Sequence, residues 1–154
     1  MLVNAPGYLF TGPGISLALA GLLVMLASLL DVSIYGATLG LNSIIAGGLF
    51  VVVGTQVGLF GAFATVAGEP IRRAKDPLTN AFVNRIDLEH GVAIGMLIFT
   101  LGALYSAYLV WQWVSSGFAA IPVAETNTLA LTAVVLGIQI VFSSFLLSVL
   151  EDAT

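Results

Sequence analysis

The run Leu39–Val66, LGLNSIIAGGLFVVVGTQVGLFGAFATV, decides the fold. It contains no Lys, Arg, Asp or Glu, and a helix needs only about 20 mostly apolar residues to cross a hydrocarbon core about 30 Å thick. Lipid offers the backbone no hydrogen bonds, so a spanning segment must be a helix or a strand of a closed barrel. Barrel strands of about 10 residues alternate polar and apolar positions, whereas this run is continuously apolar. It predicts a transmembrane helix.

Working outward, the twelve charges cluster so as to leave three more charge-free runs, Met1–Leu30, Gly91–Ala124 and Thr126–Leu150. The four predicted spans are Leu9–Leu30, Leu39–Val66, Gly91–Val114 and Asn127–Leu150. Composition agrees: 154 residues are 59% hydrophobic and 8% charged, with a mean hydropathy of +1.10, where a soluble domain carries about a quarter charged residues. Four Lys plus Arg and eight Asp plus Glu are too few to cover a globule in water, which excludes most soluble enzymes. The expectation is a single all-α membrane domain over residues 1–154, polytopic, with four transmembrane helices arranged as two hairpins. No Lys or Arg precedes the first span, so it lacks the basic start of a signal peptide and is read as retained.

All four basic residues, Arg72, Arg73, Lys75 and Arg85, fall between the second and third spans. The positive-inside rule puts this loop, residues 69–90, in the cytoplasm together with both termini. The protein is then an integral component of the cytoplasmic membrane. Tyr35 on one outer turn, and Trp111, Trp113 and Phe118 on the other, stand where aromatic belts form. Within the loop, Asp76 before Pro77 is a helix-starting pair, and Leu78, Phe82 and Ile86 repeat every fourth residue as one apolar stripe. The segment reads as a short amphipathic interfacial helix whose cations meet lipid phosphates, or as a loop whose charge only fixes orientation.

Ionisable groups within the spans would mark proton or ion pathways, and there are none. Cysteine is absent, and a single histidine, His90, cannot by itself build a metal or haem site; with Asp87 and Glu89 it reads as a polar start to the third helix. No phosphate-binding glycine loop follows a strand, no Asp-x-Asp pair offers a site for a metal-bound nucleotide, and no Ser, His and Asp set stands in a plausible pocket, so no catalytic residue, metal, cofactor or nucleic-acid partner is expected. Polar neutral groups do occur inside spans. Gln56, in Gly54-Thr55-Gln56-Val57-Gly58, and Gln139, in Gly137-Ile138-Gln139-Ile140, superpose at the same sequence shift that places Gly54 on Gly137. That hints at a duplicated hairpin, whose pseudo-symmetry axis would run along the membrane normal. The glutamines are read as interhelical hydrogen-bonding groups or as groove-lining groups. Gly54 and Gly58, Gly91 and Gly95, Gly102 and Ser106, and Ser144 and Ser148 are each four apart, the spacing of close helix packing within or between protomers.

Several stretches together resemble a known family. Ala5-Pro6-Gly7-Tyr8-Leu9-Phe10 with Pro13-Gly14, Leu88-Glu89-His90-Gly91, Ser115-Ser116-Gly117-Phe118 and Phe142-Ser143-Ser144-Phe145-Leu146-Leu147-Ser148 resemble the C-terminal membrane domain of family 2 glycosyltransferases of the polyprenyl-phosphate type, relatives of dolichol-phosphate mannose and glucose synthases. The resemblance implies an anchor whose hairpins seat the enzyme, pack against other protomers and offer a groove to an isoprenoid tail, with Arg72, Arg73, Lys75 and Arg85 near the lipid phosphate. It also implies a nucleotide-sugar domain ahead of Leu2, bearing the acidic metal-binding motif and catalytic base, which would act in trans or belong to a longer chain. The expected partners are membrane lipids including polyprenyl phosphate, a second copy or a membrane complex, and that catalytic domain. The competing reading is a small structural or accessory subunit packed into a larger membrane complex through its glycine-lined faces.

Overall fold

The computed structural model describes residues 6–34, 37–66, 88–118 and 124–152. They form four helices, α1 (Pro6–Leu29), α2 (Leu41–Val66), α3 (Leu88–Ser115) and α4 (Ala124–Asp152), with one short strand pair, β1 (Ser33–Ile34) and β2 (Ala37–Thr38), in the first turn. Each helix holds a stretch long and apolar enough to cross a membrane, the shortest being the 21 residues of Leu9–Leu29. The chain is an all-α integral membrane protein. Helices α1, α3 and α4 start three residues before the predicted spans and α2 two residues after. Glu89 and Glu125 occupy the added first turns of α3 and α4, where a carboxylate favours the positive end of a helix. The expected interfacial helix and the four basic residues lie outside the described residues.

Helix α1 packs along α2 and α3 along α4, and α2 joins the two hairpins by packing on α4. Contact therefore runs in the order α1, α2, α4, α3. Helix α2 is the centre of the bundle, burying Ile44, Val51, Ala62 and Val66 among others. One core cluster joins Met25, Ile44 and Val51, with Leu29 and Leu136 against it; a second joins Ala62, Val66 and Leu147. The outward faces are apolar as well, as lipid-facing surfaces must be; Leu23, Leu104 and Phe142 are more than 60% exposed.

The odd helices end alike. In α1 the amide of Val32 donates to the Ala27 carbonyl and that of Asp31 to Ser28, with Asp31 at φ 51. In α3 the amide of Phe118 donates to Trp113 and that of Gly117 to Val114, with Gly117 at φ 72. Both are left-handed caps that close the last carbonyls of a helix before the chain reverses. Trp113 and Phe118 then meet edge to face with centroids 5.0 Å apart. The first turn is fastened further by Ser28, whose buried hydroxyl lies 2.9 Å from the Leu39 carbonyl and 3.0 Å from that of Gly40.

The repeat hinted at by the glutamines is present inside the hairpins. A Cβ added at Gly14 would lie 2.8 Å from the Gly54 carbonyl and against the Gly58 backbone. A Cβ at Gly95, 81 positions on, would lie 2.9 Å from the Gly137 carbonyl and the Val141 amide. Gly21 against Gly47 and Val51 is matched by Gly102 against Ala130 and Val134, and Gly54 on Ala18 by Gly137 on Phe99. The odd helices correspond at a shift of 81 and the even ones at 83. The contact between hairpins does not follow this rule. Gly48 is buried against Thr132, but their counterparts, Leu131 and Leu49, are 51% and 60% exposed. The duplication is thus one of hairpins, without a two-fold axis relating them.

Most span hydroxyls bond inside their own helix. Thr55 donates to Val51, Thr65 to Gly61, Thr132 to Thr128 and Ser144 to Ile140, all at 2.8 Å. This back-bonding satisfies a hydroxyl where lipid offers no partner.

Candidate functional site

Because contact runs α1, α2, α4, α3, helices α1 and α3 are left without an extended contact, and a groove of about 460 Å³ lies among all four helices. Ile15, Leu19 and Leu22 of α1, Ile94 of α3, and Leu136, Ile140 and Leu147 of α4 form its apolar walls. Its floor includes Gly54 and Gly58, and a Cβ at Gly58 would meet nothing within 4 Å. The stretch from Thr11 to Leu22 gives it a length of about 16 Å at 1.5 Å per residue. The polar groups sit mainly toward one end: Thr11 near the start of α1, His90 near the start of α3 and Ser144 toward the end of α4. That end is the one from which the 67–87 connection leaves α2 and enters α3. Ile94 and Leu19 are more than half exposed, so the groove is open on its flank, toward the hydrocarbon.

A second cleft, of about 310 Å³, lies on the other flank of the α2–α4 contact. It is lined by Gln56, Phe60 and Phe63 of α2 and by Ile138, Gln139 and Phe142 of α4, among others. The structure therefore brings the two glutamines to one cleft, although no hydrogen bond joins them. Both Oε1 and Nε2 of Gln139 are buried without a hydrogen-bond partner among the described residues, as is the Ser106 hydroxyl.

The small residues singled out in the sequence divide between roles. Gly54 packs on α1 and lines the groove. Gly58 lines it too, but its own Cβ position is open. Gly91 lines the groove, Gly95 and Gly102 pack α3 on α4, and Ser144 is buried at the groove wall. Ser148 is half-buried on α4. Arg72, Arg73, Lys75 and Arg85 lie outside the described residues. His90, read from sequence as a plain helix start, is a groove residue, and Gly14 and Gly21 are packing residues that the four-residue spacing passed over. Their spacing of seven, with Ala18 between, was the available sign.

Four membrane-crossing helices in paired hairpins around an open apolar groove define a polytopic membrane domain. The chain belongs to the glycosyltransferase family 2 C-terminal transmembrane region, which it matches over residues 63–151, more than half its length. It is 47% identical over 152 residues to the low-salt glycan biosynthesis hexosyltransferase Agl6 of Haloferax volcanii, a match that covers 99% of this chain and 37% of that protein. The chain thus spans little more than a third of that relative. No solved structure matches it.

Proposed function

We propose that this chain is the membrane part of a hexosyltransferase system, which seats a nucleotide-sugar domain at the cytoplasmic face and holds the isoprenoid tail of a polyprenyl-phosphate acceptor in the four-helix groove. The observation that carries this reading is the groove itself: an apolar, side-open channel whose polar end adjoins the connection bearing Arg72, Arg73, Lys75 and Arg85. A branched hydrocarbon tail fits the Ile and Leu walls, where transfer from lipid costs little. The phosphate then reaches the headgroup layer, where guanidinium and ammonium groups bind it by charge-assisted hydrogen bonds. His90 and Thr11 stand between tail and phosphate. Family membership and the name of the 47% identical relative support transfer of a hexose as the chemistry served. The chain supplies attachment, lipid positioning and association with other chains in the membrane, and the reaction belongs to the soluble domain.

The test is the lipid content of the purified chain, read by mass spectrometry. Two variants address the two ends of the ligand: Arg72→Gln, Arg73→Gln and Lys75→Gln together for the phosphate, and Leu19→Trp for the tail. Both are expected to lower retained polyprenyl phosphate while ordinary membrane lipids stay bound. Unchanged polyprenyl phosphate in both folded variants overturns the lipid role.

A further inference from the structure

The four-helix groove is closed at its inner end. Leu22 of α1, Val51 of α2 and Leu136 of α4 are the lining residues farthest from its polar end. Val51 belongs with Met25 and Ile44 to one buried cluster, against which Leu136 and Leu29 pack; Met25 and Ile44 are 3% and 0% exposed. A Cβ added at Gly47 would lie 2.7 Å from the Met25 side chain, so α1 and α2 leave no gap there. The three helices thus close on one another about one turn beyond Leu22, and their core is a plug across the groove.

The walls are unequal. Helix α1 lines the groove from Thr11 to Leu22, but α3 lines it only from His90 to Ile94, about 6 Å at 1.5 Å per residue. From Gly95 onward α3 turns to α4, on which Gly95 and Gly102 pack. The inner part therefore has walls from α1, α2 and α4 alone and opens sideways between α1 and α3. The depth from Thr11 to the plug, about 16 Å, is about half of a hydrocarbon core ~30 Å thick. A guest entering from the polar end meets the plug near the middle of the bilayer, with the lateral opening beside it.

Capacity follows from two independent measures. An isoprene unit advances its chain by four carbon–carbon bonds of about 1.5 Å each, or about 5 Å along a zigzag, so a depth of about 16 Å takes about three units. A volume of about 460 Å³ divided by ~30 Å³, the share of a water and nearly that of a methylene, holds about 15 carbons. Three isoprene units contain that many. The phosphate end is fixed by charge complementarity, since every basic residue of the chain lies in the connection at the polar end.

We propose that the groove is an end-stopped subsite for about the first three isoprene units after the acceptor phosphate, and that the rest of the tail leaves sideways between α1 and α3 at the bilayer midplane. This rests on the acceptor reading above and adds to it which part of the tail is read. Branching and double-bond geometry of the near units meet the Ile and Leu walls; chain length beyond them is not sensed.

The test uses the full native chain in liposomes and long-chain polyprenyl phosphates that carry one diazirine, on the second, third or sixth unit from the phosphate. After photolysis, cross-linked residues are read by peptide mass spectrometry. Second-unit label is expected on Ile15, Leu19 and Ile140, third-unit label on Leu22 and Leu136, and sixth-unit label is expected to be lost from all of these and found on lipid. Farnesyl phosphate, which has three units, is expected to suppress the second-unit cross-link as fully as the long lipid at equal membrane content. Sixth-unit label on the groove residues as strong as second-unit label, or third-unit label beyond the plug on Leu29 or Ile44, overturns the end stop while leaving a tail in the groove. Weaker suppression by farnesyl phosphate overturns the indifference to length. Absence of groove label from every unit overturns the acceptor reading itself, and this inference with it.

Discussion

Gly54→Ala tests the hairpin packing most directly, because an internal control stands one turn away. The added methyl at Gly54 would lie 2.7 Å from the Gly14 carbonyl and 2.9 Å from the Ala18 Cα. These are backbone atoms of α1, which cannot turn aside as a side chain can. An ordinary carbon contact needs about 3.5 Å or more, so α1 must retreat by close to 1 Å along the crossing. The same change at Gly58 meets nothing within 4 Å. Both substitutions gain the helix preference of Ala over Gly, up to about 1 kcal/mol, and that gain cancels in the comparison. The difference isolates the clash, which for an overpacked interior amounts to about 1–3 kcal/mol. Reversible unfolding in mixed micelles of mild detergent and dodecyl sulfate, followed by far-UV circular dichroism, gives the two stabilities. Gly54→Ala is expected to be less stable than Gly58→Ala by that amount, and Gly137→Ala, which meets the Phe99 backbone in the second hairpin, to behave like Gly54→Ala. Equal stability of the Gly54 and Gly58 variants would refute the packing argument.

Ser28→Ala removes the hydroxyl that ties the end of α1 to the carbonyls of Leu39 and Gly40; stability should fall by about 1–2 kcal/mol, and hydrogen exchange should rise in the 30–40 turn while the α3–α4 turn stays protected. Uniform loss of protection would contradict a local role. Gly48→Leu addresses the contact between hairpins, where an added Cβ already lies 2.7 Å from the Thr132 hydroxyl. Thr132 can swing away from a methyl but not from a branched side chain, so Gly48→Ala is expected to be tolerated and Gly48→Leu to part the hairpins. Disulfide trapping between Ala62→Cys and Leu147→Cys, which share a core cluster, should fall in the Leu variant; undiminished trapping would argue against this contact.

Much of the fold is legible in the sequence because the physics of a span is coarse. Asp31, Glu125 and the charges from Glu69 to Glu89 interrupt runs that water cannot hold, and four helices follow from length alone. Short turns then pair neighbours into hairpins. Lipid removes the next level of information: a helix in water shows its buried face by a polar opposite face, while α1 and α3 are apolar all round, so the rotation of each about its axis is not written in hydropathy. Spacing therefore found Gly54 and Gly58 as a pair without showing that only Gly54 meets α1 with its Cβ side. The groove was less legible still. It arises from α1 and α3 failing to meet, a property of no single segment, and His90 joins it only because α3 begins beside that gap. Gln56 and Gln139 were found as equivalents in a repeat, and the cleft they share depends on how the hairpins dock.

That docking links the fold to the proposed function. If the hairpins met about a two-fold axis, equivalent residues of α2 and α4 would face each other, and the grooves on the two flanks would match. Instead Gly48, with no side chain, receives Thr132, while the bulky counterparts of both, Leu131 and Leu49, are turned outward. The offset makes the flanks unequal. One collects walls from all four helices and becomes a long apolar groove with its polar end toward the basic connection; the other is floored by α2 and α4 alone and keeps the two glutamines. A repeated hairpin thus acquires two different intramembrane surfaces from one asymmetric contact. The walls of the first need no hydrogen bonds, whereas the second holds the two buried carboxamide atoms of Gln139, unpartnered among the described residues.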